Sequence, residues 1–574
     1  MRIEINGRTV ECKEGQTILE VACENGITIP TLCHFPGLPP SGACRVCIVE
    51  VEGRPSLIAS CAYPVTDGMK VRTNTSRVRS ARKTIVQLLL ANHKQECASC
   101  IRNGNCELQA LAREVGVRDV PFVGDRRKAH KDISSPSIAR DPEKCILCGR
   151  CVRACEEIQG VGVIDFTRRG FQASVSTAFD DGLNVTECVN CGQCIKACPT
   201  GALHENVSIG KVWAALSDPT KIVVFQHAPA ISVSIGEEFG MSTKADMTGV
   251  LTAALKEMGA EYVFDTSFTA DLTIMEETGE LIQRVKDGGP FPMFTSCSPG
   301  WVKFIEHRYP QLLPNVSTCK SPQQMLGALI KTYFSTKLNV DPSKVFSVSI
   351  MPCTAKKFEA QRPEHGRAGY QDIDAVLTTR EAAEMIREAG IDLKSIPPVE
   401  CDNPFGERTG AGKIFGATGG VSEAALRTAY HLLTGTELEK LEISQMRGLD
   451  GVKTFSCEVN GIKLRTAIVS GLANVARLID RVQAGEESFH LIEVMACPGG
   501  CINGGGQPYA SDDASLRRRM EALYKIDANA PKRVSHDNEW VKRLYEEFLL
   551  HPGSHVSHEL LHTHYQSRKE TVAR

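Results

Sequence analysis

The sequence has no long apolar run, no excess of either charge and few aromatic residues. Its 574 residues include no stretch of the roughly 18 consecutive apolar residues that a membrane-spanning helix needs, so no membrane span is expected. The 66 basic residues nearly balance the 68 acidic ones, which argues against a protein built to neutralise nucleic acid phosphates. Charges within the N-terminal segment MRIEINGRTVE argue against a secretory signal, and we expect a cytoplasmic protein.

Cysteine, in contrast, is abundant and unevenly distributed. Seventeen of the 24 cysteines lie in the first 200 residues. Thiols in a reducing compartment are seldom paired in structural disulfides, so cysteines repeated at short spacings indicate metal thiolates. Hydrophobic residues make up 42% of the chain, and this length predicts about three to five folded domains.

Residues 1–80 predict a small α/β domain with an iron–sulfur centre. Two short strands flank the Asn6-Gly7 turn, and a helix begins after Thr17. Four cysteines follow with C-x10-C-x2-C spacing and a distant fourth member, namely Cys33, Cys44, Cys47 and Cys61. The arrangement resembles that of plant-type ferredoxins and favours one [2Fe–2S] cluster. A zinc ribbon, or cysteines without metal, is the alternative.

Residues 81–119 predict a helix followed by a second cluster motif. Its H-x3-C-x2-C-x5-C spacing is formed by His93, Cys97, Cys100 and Cys106. Structural zinc accepts the same ligands, but a redox-inactive metal would interrupt a series of electron carriers. The spacing is similar to that in the iron–sulfur subunit of respiratory complex I, which implies a [4Fe–4S] cluster. Residues 120–140 are basic and contain proline and serine, and they predict a linker or covering loop.

Residues 141–205 contain a doubled C-x2-C-x2-C-x3-C motif, which is typical of bacterial ferredoxins with two [4Fe–4S] clusters. In such motifs the fourth cysteine of each run binds the other cluster. One cluster is therefore expected on Cys145, Cys148, Cys151 and Cys198. The other is expected on Cys188, Cys191, Cys194 and Cys155.

Residues 206–574 predict an α/β catalytic domain in two lobes around a cleft. Strand-like runs (KIVVFQHAP, KVFSVSIMPC, HLIEVMAC) alternate with helical ones (MTGVLTAALKEMG, SEAALRTAYHLL). Active sites in such folds commonly lie where strands end. Each of the three strand-like runs ends near a noteworthy loop. Three cysteine-containing motifs stand out, TSCSPGW at 295–301, MPCTAKK at 351–357 and EVMACPGGC at 493–501, and the last two overlap the ends of strand-like runs.

These three motifs, in this order, resemble those of the [FeFe]-hydrogenases, and with the N-terminal modules the resemblance covers nearly the whole chain. It implies the reaction 2H⁺ + 2e⁻ ⇌ H₂ at an H-cluster. That cofactor is a [4Fe–4S] cube joined by a cysteine sulfur to a two-iron site with CO, CN⁻ and azadithiolate. One [2Fe–2S] and three further [4Fe–4S] clusters would supply electrons.

The resemblance also implies roles for individual residues of the catalytic half. Cys353, Cys497 and Cys501 would bind the cube, and Lys356 would donate a hydrogen bond to a cyanide. The remaining expected lining residues of the cofactor pocket are Ala228, Pro229, Gln323, Met351 and Met495.

The first motif departs from the family's commonest form, T-S-C-C-P, because Ser298 precedes Pro299 where a cube ligand is expected. A serine hydroxyl is a poor substitute for a thiolate on iron–sulfur iron. Either Ser298 binds through oxygen, or Cys297 takes the ligand position and the thiol proton relay is lost. A sequence altered by engineering is a third explanation.

For protons, the resemblance nominates a path through Cys297, Glu277, Ser317, Glu280 and Arg284. Glu277, Glu280 and Arg284 are spaced i, i+3 and i+7, so a single helix face can carry all three. An ordinary surface Glu–Arg pair is the alternative.

Several features are interpreted as structural. Cys12 and Cys23 are expected to be small apolar fillers, and Gly410–Lys413 is expected to pack against the active site instead of binding phosphate. Without an identifiable acidic partner, the C-terminal histidines are expected to be surface residues, namely His551, His555, His558, His562 and His564.

The redox partner is expected to be ferredoxin, an NAD(P)H-oxidising flavoprotein subunit, or both, and the cofactor implies maturation proteins. The sequence shows no flavin or nicotinamide fold of its own. Two alternative functions belong to other classes of protein. A non-catalytic redox sensor or cluster-assembly protein would share the fold, whereas a complex I electron-transfer subunit would explain only the first 200 residues.

Overall fold

The structure is a computed structural model that describes residues 1–241, 246–367, 369–459, 461–509 and 512–568. It is a multidomain α/β protein, as the sequence predicts. Among the described helices, none combines the length and the apolar character needed to cross a membrane.

The N-terminal unit is a five-stranded sheet in the order β2-β1-β5-β3-β4. Its elements are β1 (Arg2–Ile5), β2 (Arg8–Glu11), α1 (Ile18–Glu24), β3 (Ile48–Val51), β4 (Ile58–Ala59) and β5 (Lys70–Arg72). The predicted hairpin and helix are both confirmed, and Thr17 caps α1 in a reciprocal capping box with Glu20. Cys12 is buried as predicted, but the filler prediction for Cys23 is wrong because that residue lies on the exposed side of α1.

Two helices, α2 (Ser76–Asn92) and α3 (Glu107–Glu114), carry the second cluster motif between them. The segment that follows is not a free linker. Arg127 is buried and donates to the carbonyl oxygens of Pro142 and Cys145. The last three residues predicted as linker form β6 (Ile138–Arg140), so this segment covers the ferredoxin-like unit.

The ferredoxin-like unit is built from two small hairpin-like pairs of strands and two short helices. Strand β6 pairs antiparallel with β9. The other elements are α4 (Arg150–Arg153), β7 (Asp165–Thr167), β8 (Ser174–Ser176), α5 (Gln193–Ala197) and β9 (Leu203–Glu205). The helices α4 and α5 each begin after a left-handed glycine, Gly149 and Gly192, within the two cysteine runs.

The catalytic half contains two four-stranded sheets, ordered β11-β10-β13-β16 and β12-β19-β18-β17. The first sheet is parallel throughout, and in the second only β17 is antiparallel to its neighbour. The strands of this half are β10 (Ile222–His227), β11 (Tyr262–Asp265), β12 (Met293–Phe294), β13 (Val345–Met351), β14 (Gly366–Arg367), β15 (Tyr370–Gln371), β16 (Ala375–Thr378), β17 (Val452–Val459), β18 (Ile462–Ser470) and β19 (Leu491–Met495).

Helices cover both sheets. They are α6 (Ile209–Leu216), α7 (Thr248–Glu257), α8 (Ser267–Asp287), α9 (Pro299–Arg308), α10 (Pro322–Leu329), α11 (Ser335–Lys337), α12 (Ala355–Glu359), α13 (Thr379–Glu388), α14 (Gly410–Ile414), α15 (Gly420–Thr434), α16 (Leu472–Gln483), α17 (Asp513–Asn529), α18 (Glu539–Leu544) and α19 (His555–Leu561). The three strand-like runs of the sequence are confirmed as β10, β13 and β19. Because parallel strands end at the same edge of a sheet, the loops after them meet between the two lobes.

Candidate active site and electron relay

A cavity of about 830 Å³ lies where strands of both lobes end. The loops after β10, β12, β13 and β19 all contribute to its wall. The predicted site residues that line it are Ala228, Pro229, Cys297, Ser298, Gln323, Met351, Cys353, Lys356, Met495, Cys497 and Cys501. The structure therefore brings together all three cysteine motifs, which are separated by up to two hundred residues in the sequence.

Short contacts hold the three loops in place. Thr295 donates its backbone N–H to Ile492 O over 3.1 Å, and its hydroxyl accepts from Val494 N, which fixes the first loop to β19. Pro299 occupies the first turn of α9, where its missing N–H costs nothing. At Gly504 an added Cβ would lie 2.1 Å from Pro352 O, so only glycine permits the third loop to pack on the second.

The donor atoms of the cavity fit a buried iron–sulfur cube. Burial raises the pKa of Cys353 to about 12 and that of Cys497 to about 11, so without metal these thiols hold their protons. Bound iron displaces such protons, because a coordinating thiol is deprotonated outright. All 24 cysteines are free of disulfides, which leaves these thiols available.

Cys297 and Ser298 occupy different parts of the cavity wall. Cys297 packs with Met495 and Cys501 on the apolar side of α8, whereas Ser298 Oγ accepts a hydrogen bond from Ala496 N over 3.3 Å. Burial, reinforced by the nearby Glu277, raises the pKa of the Cys297 thiol well above its usual value. Cys297 is thus a protonated thiol close to the first acid of the predicted proton path.

Lys356 is held at the cavity by a residue that the sequence interpretation missed. Its Nζ lies 3.1 Å from Cys297 O and 2.9 Å from a carboxylate oxygen of Glu359, one helical turn later on α12. Glu359 also accepts hydrogen bonds from Ser321 and Gln323. The i, i+3 spacing in AKKFE was the available signal for this pair.

Of the predicted proton-path residues, Glu277, Glu280 and Arg284 lie on α8, and we call these three together with Ser317 the α8 file. Arg284 donates to Glu280 over 2.6 Å, and Ser317 donates to the other Glu280 oxygen over 2.9 Å. Glu277 is buried, and its Oε1 has no hydrogen-bond partner among the described residues. Burial, with a smaller effect of the Glu280 charge, raises the pKa of Glu277 to about 8. Glu277 is therefore mostly protonated at neutral pH.

Two further cavities lie in the ferredoxin-like unit, each lined by four cysteines. The first, of about 480 Å³, is lined by Cys145, Cys148, Cys151 and Cys198. The second, of about 440 Å³, is lined by Cys155, Cys188, Cys191 and Cys194. Each cavity takes its fourth cysteine from the other run, as the crossed ligand pattern expects.

The N-terminal cysteines also cluster as the spacing suggests. Cys33, Cys44, Cys47 and Cys61 are all buried, and a thiol hydrogen bond with Cys61 lowers the pKa of Cys47 to about 6. In the second motif, His93 is buried and its Nδ1 has no hydrogen-bond partner in the part of the chain that the structure describes. Burial lowers the pKa of His93, so the imidazole is neutral, which is the metal-binding form.

The second motif has a less enclosed cysteine set. Cys97 is exposed, whereas Cys100 and Cys106 are partly buried. Cys106 directly precedes α3, and its Sγ lies 3.7 Å from Pro199 O of the ferredoxin-like unit. This motif therefore lies directly against the unit that carries the next two cysteine sets.

The cysteine sets form a continuous series that ends at the catalytic cavity. One apolar cluster contains Cys33, Cys44, Cys106 and Cys148, so the first three sets are in contact through it. At the other end, Cys191 lines both the second ferredoxin cavity and the catalytic cavity.

Five family models match the chain, and together they cover most of its length. Two are described as iron only hydrogenase large subunit, C-terminal domain (residues 221–505), and iron hydrogenase small subunit (residues 512–568). The others are a 2Fe-2S iron-sulfur cluster binding domain (1–76), an NADH-ubiquinone oxidoreductase-G iron-sulfur binding region (82–121) and a 4Fe-4S dicluster domain (144–202).

Known proteins resemble the chain along its full length. It is 47% identical to the NADP-reducing hydrogenase subunit HndD of Solidesulfovibrio fructosivorans, with 99% of both chains covered. It is 42% identical to iron hydrogenase 1 of Clostridium pasteurianum, over 98% of this chain and 99% of that one. A solved structure of a variant of apo [FeFe]-hydrogenase HydA1 from Chlamydomonas reinhardtii is 42% identical and matches with a TM-score of 0.57. It covers 62% of this chain and 98% of its own. The cavity, the cysteine series that leads to it and these matches agree, and the chain belongs to the iron-only, or [FeFe], hydrogenases.

Proposed function

We propose that the chain interconverts protons and H₂ at the catalytic cavity, with Cys353, Cys497, Cys501 and Ser298 as the corners that hold the cube of the H-cluster. The convergence of the three motif loops and Lys356 on a single cavity, with the cysteine series on one side and the α8 file on the other, supports this assignment. When bound, the H-cluster supplies the iron on which protons and electrons combine. Infrared spectroscopy of the matured protein tests this proposed function. The CO and CN⁻ stretches of the two-iron site should appear, and their absence would contradict the proposal.

Proton transfer to the cavity is carried by side chains of the protein. Cys297 is a buried thiol at the cavity wall, and Glu277 behind it is protonated at neutral pH because burial raises its pKa to about 8. Ser317 and Arg284 hold the carboxylate of Glu280 in one orientation. A proton arriving at Glu280 is thus passed inward through Ser317 and Glu277 to Cys297.

Lys356 and the apolar wall have a different role. The ammonium group is held by Glu359 and Cys297 O, and it presents a compact cation to anionic ligands in the cavity. Met351, Met495 and Pro229 line the cavity without hydrogen-bond donors, so they limit the access of water.

Cluster content is a direct prediction of the ligand sets. The protein reconstituted without the two-iron site should contain one [2Fe–2S] and four [4Fe–4S] clusters, or about 18 iron atoms per chain. Iron analysis with paramagnetic resonance spectroscopy measures this number. A repeated value near roughly ten iron atoms, without a cube signal from the catalytic half, would contradict the assignment.

The crossed ligand pattern gives a second prediction. Cys198→Ser should impair the cluster held by Cys145, Cys148 and Cys151, although Cys198 belongs to the other run, because its side chain lines that cavity. The matched variant Cys155→Ser should impair the cluster held by Cys188, Cys191 and Cys194. Paramagnetic spectra of the reduced variants distinguish the two losses. If each variant instead lost the cluster bound by its own cysteine run, the crossed pattern would be excluded.

For the electron partner, we propose an NAD(P)H-oxidising flavoprotein subunit in a multisubunit complex. The full-length similarity to a protein named as a subunit of an NADP-reducing hydrogenase supports this choice, as does the complex I-like N-terminal region. The cytoplasm stays the proposed compartment. Purified chain alone should not reduce protons with NADPH, and co-purification of a flavoprotein that confers this activity tests the proposal. Full activity with ferredoxin alone would favour the other partner.

A non-catalytic redox sensor or cluster-assembly role is not favoured. Two relatives that match nearly the whole chain are hydrogenases. The α8 file is also an arrangement for which an electron-storing protein has no evident use.

A further inference from the structure

A buried histidine lies directly beside the proposed proton path. His562 was expected at the surface without an acidic partner, and both parts of that expectation are wrong. Its side chain is 5% exposed, and its Nε2 lies 3.2 Å from a carboxylate oxygen of Glu276, which is fully buried. Its Nδ1 lies 2.8 Å from the hydroxyl of Thr318. The other four C-terminal histidines are exposed, as expected.

The backbone fixes this contact. Lys320 N donates to Leu561 O over 2.7 Å, and Thr563 N donates to Thr318 O over 2.7 Å. Residues 561–563 therefore lie against residues 318–320 as a short two-stranded contact. This contact brings the C-terminal segment to the loop that carries Ser317.

The hydrogen-bond directions at His562 follow from the surroundings of Glu276. Burial favours its neutral form, but hydrogen bonds from His562, Ser557, Tyr545 and Gly553 N lower the pKa of Glu276 below its ordinary value. An ionised Glu276 requires an N–H on His562 Nε2. In the neutral imidazole Nδ1 is then an acceptor, and the Thr318 hydroxyl donates to it.

Thr318 connects the histidine to the proton path. Its backbone N–H donates to Glu280 over 3.1 Å, to the same oxygen that accepts from Ser317. A carboxylate oxygen of Glu280 and a ring nitrogen of His562 lie within 4.8 Å of each other. Glu280 is thus held by two consecutive residues, and the second of them is anchored by His562.

We propose that His562, oriented by Glu276, is a positioning residue of the proton path. By anchoring Thr318 it keeps a second hydrogen-bond donor on the Glu280 carboxylate and fixes the distance over which the proton moves. The inference rests on the proposed path through Glu280. The titratable groups that face His562 are Glu276 and Glu280 on α8, Cys319 beside Thr318, Tyr545 after α18, and His558, whose ring stacks on it at 4.3 Å.

Two conservative variants separate positioning from simple support of the fold. His562→Gln retains a donor toward Glu276 but loses the acceptor for Thr318. His562→Asn retains a polar group near Nδ1 for Thr318 but loses the donor to Glu276. We expect His562→Gln to reduce turnover per loaded site roughly tenfold to hundredfold, because small misplacements in a reacting file cost that much. His562→Asn should retain turnover but lower the melting temperature, because buried Glu276 loses a donor.

The readouts extend beyond activity. In His562→Gln the solvent deuterium isotope effect should increase, and the pH dependence of turnover should change, because the Glu280 carboxylate loses part of its hydrogen bonding. The Glu280 carboxyl stretch, identified in protein without the two-iron site by its absence in Glu280→Gln, should shift in His562→Gln but not in His562→Asn. Thr318→Val should reproduce the His562→Gln result, and His555→Gln on the exposed side of α19 is the control.

Turnover that follows melting temperature across the variants would overturn the proposal and leave His562 a structural residue. So would His562→Gln and Thr318→Val variants with unchanged isotope effect and pH profile. Wild-type turnover in Glu280→Gln is a separate outcome. It would contradict the proposed proton path through Glu280, and not only the positioning role of His562.

Discussion

Glu280→Gln should leave the H-cluster assembled and reduce H₂ turnover by roughly 10²–10⁴-fold, the usual contribution of a positioned acid–base group. The amide retains the shape of the side chain and its bond to Arg284, but it cannot accept and release a proton. Because Glu280 lies between Arg284 on the outside and Ser317 on the inside, the file has no bypass among the contacts described above.

The measurement is H₂ production per loaded site, with the loading taken from the CO and CN⁻ infrared bands. Asp287→Asn is a suitable control, because it removes an exposed carboxylate from the end of the same helix. It should leave turnover unchanged. Wild-type turnover in Glu280→Gln with full loading would exclude Glu280 from the path.

The second large effect is expected at the first motif. Cys297→Ala should retain the cube yet lose most of the turnover, because Cys297 packs with Cys501, lies near Glu277 and is the inner end of the proposed proton path. The position before Pro299 is filled by Ser298, whose hydroxyl lies beside Ala496 N. In the proposal, Ser298 is therefore a ligand of the cube and Cys297 is the residue that transfers the proton.

The reciprocal change is Ser298→Cys. A thiolate is a softer ligand than a hydroxyl, so this variant should hold the cube more firmly against chelators. Iron content after chelator treatment and the cube's paramagnetic signal report the difference. Loss of the cube in Cys297→Ala, with Ser298→Ala nearly silent, would instead make Cys297 the ligand. A structure of the loaded protein with neither atom near about 2.3 Å from iron, a normal thiolate distance, would contradict both assignments.

Short-range patterns in the sequence were sufficient to predict the cofactor types and to group the ferredoxin-type cysteines that line common cavities. Each of the two ferredoxin-type runs, Cys145 to Cys155 and Cys188 to Cys198, spans eleven residues, so its spacing fixes which side chains lie close together, and the motif also predicts the exchange of the fourth ligand. The strand-like runs were assigned correctly because parallel strands buried on both faces are continuously apolar. The same reasoning located the second and third cysteine motifs at strand ends, whereas the first follows β12, which has only two residues and was not predicted.

Errors arose where the deciding contact was distant in sequence or depended on which side faces solvent. Cys23 follows the same composition rule as Cys12, but helix orientation exposes it. Residues 138–140 were predicted to be part of a linker or covering loop, because a strand of three residues is too short to show the alternation of apolar and polar residues. Their pairing partner β9 lies more than sixty residues away.

The sequence by itself determined the family, the cofactor types and the residues of the cysteine motifs, because these depend on residue identity at short fixed spacings. Only the tertiary structure decided how the pieces join. It brought Cys191 to the catalytic cavity, placed Cys297 on the Glu277 side of that cavity, and put His562 against Glu276 and Thr318. The physical reason is that the burial and hydrogen bonding of an ionisable group are set by whichever segments the fold packs around it, and for His562 those segments lie more than two hundred residues away.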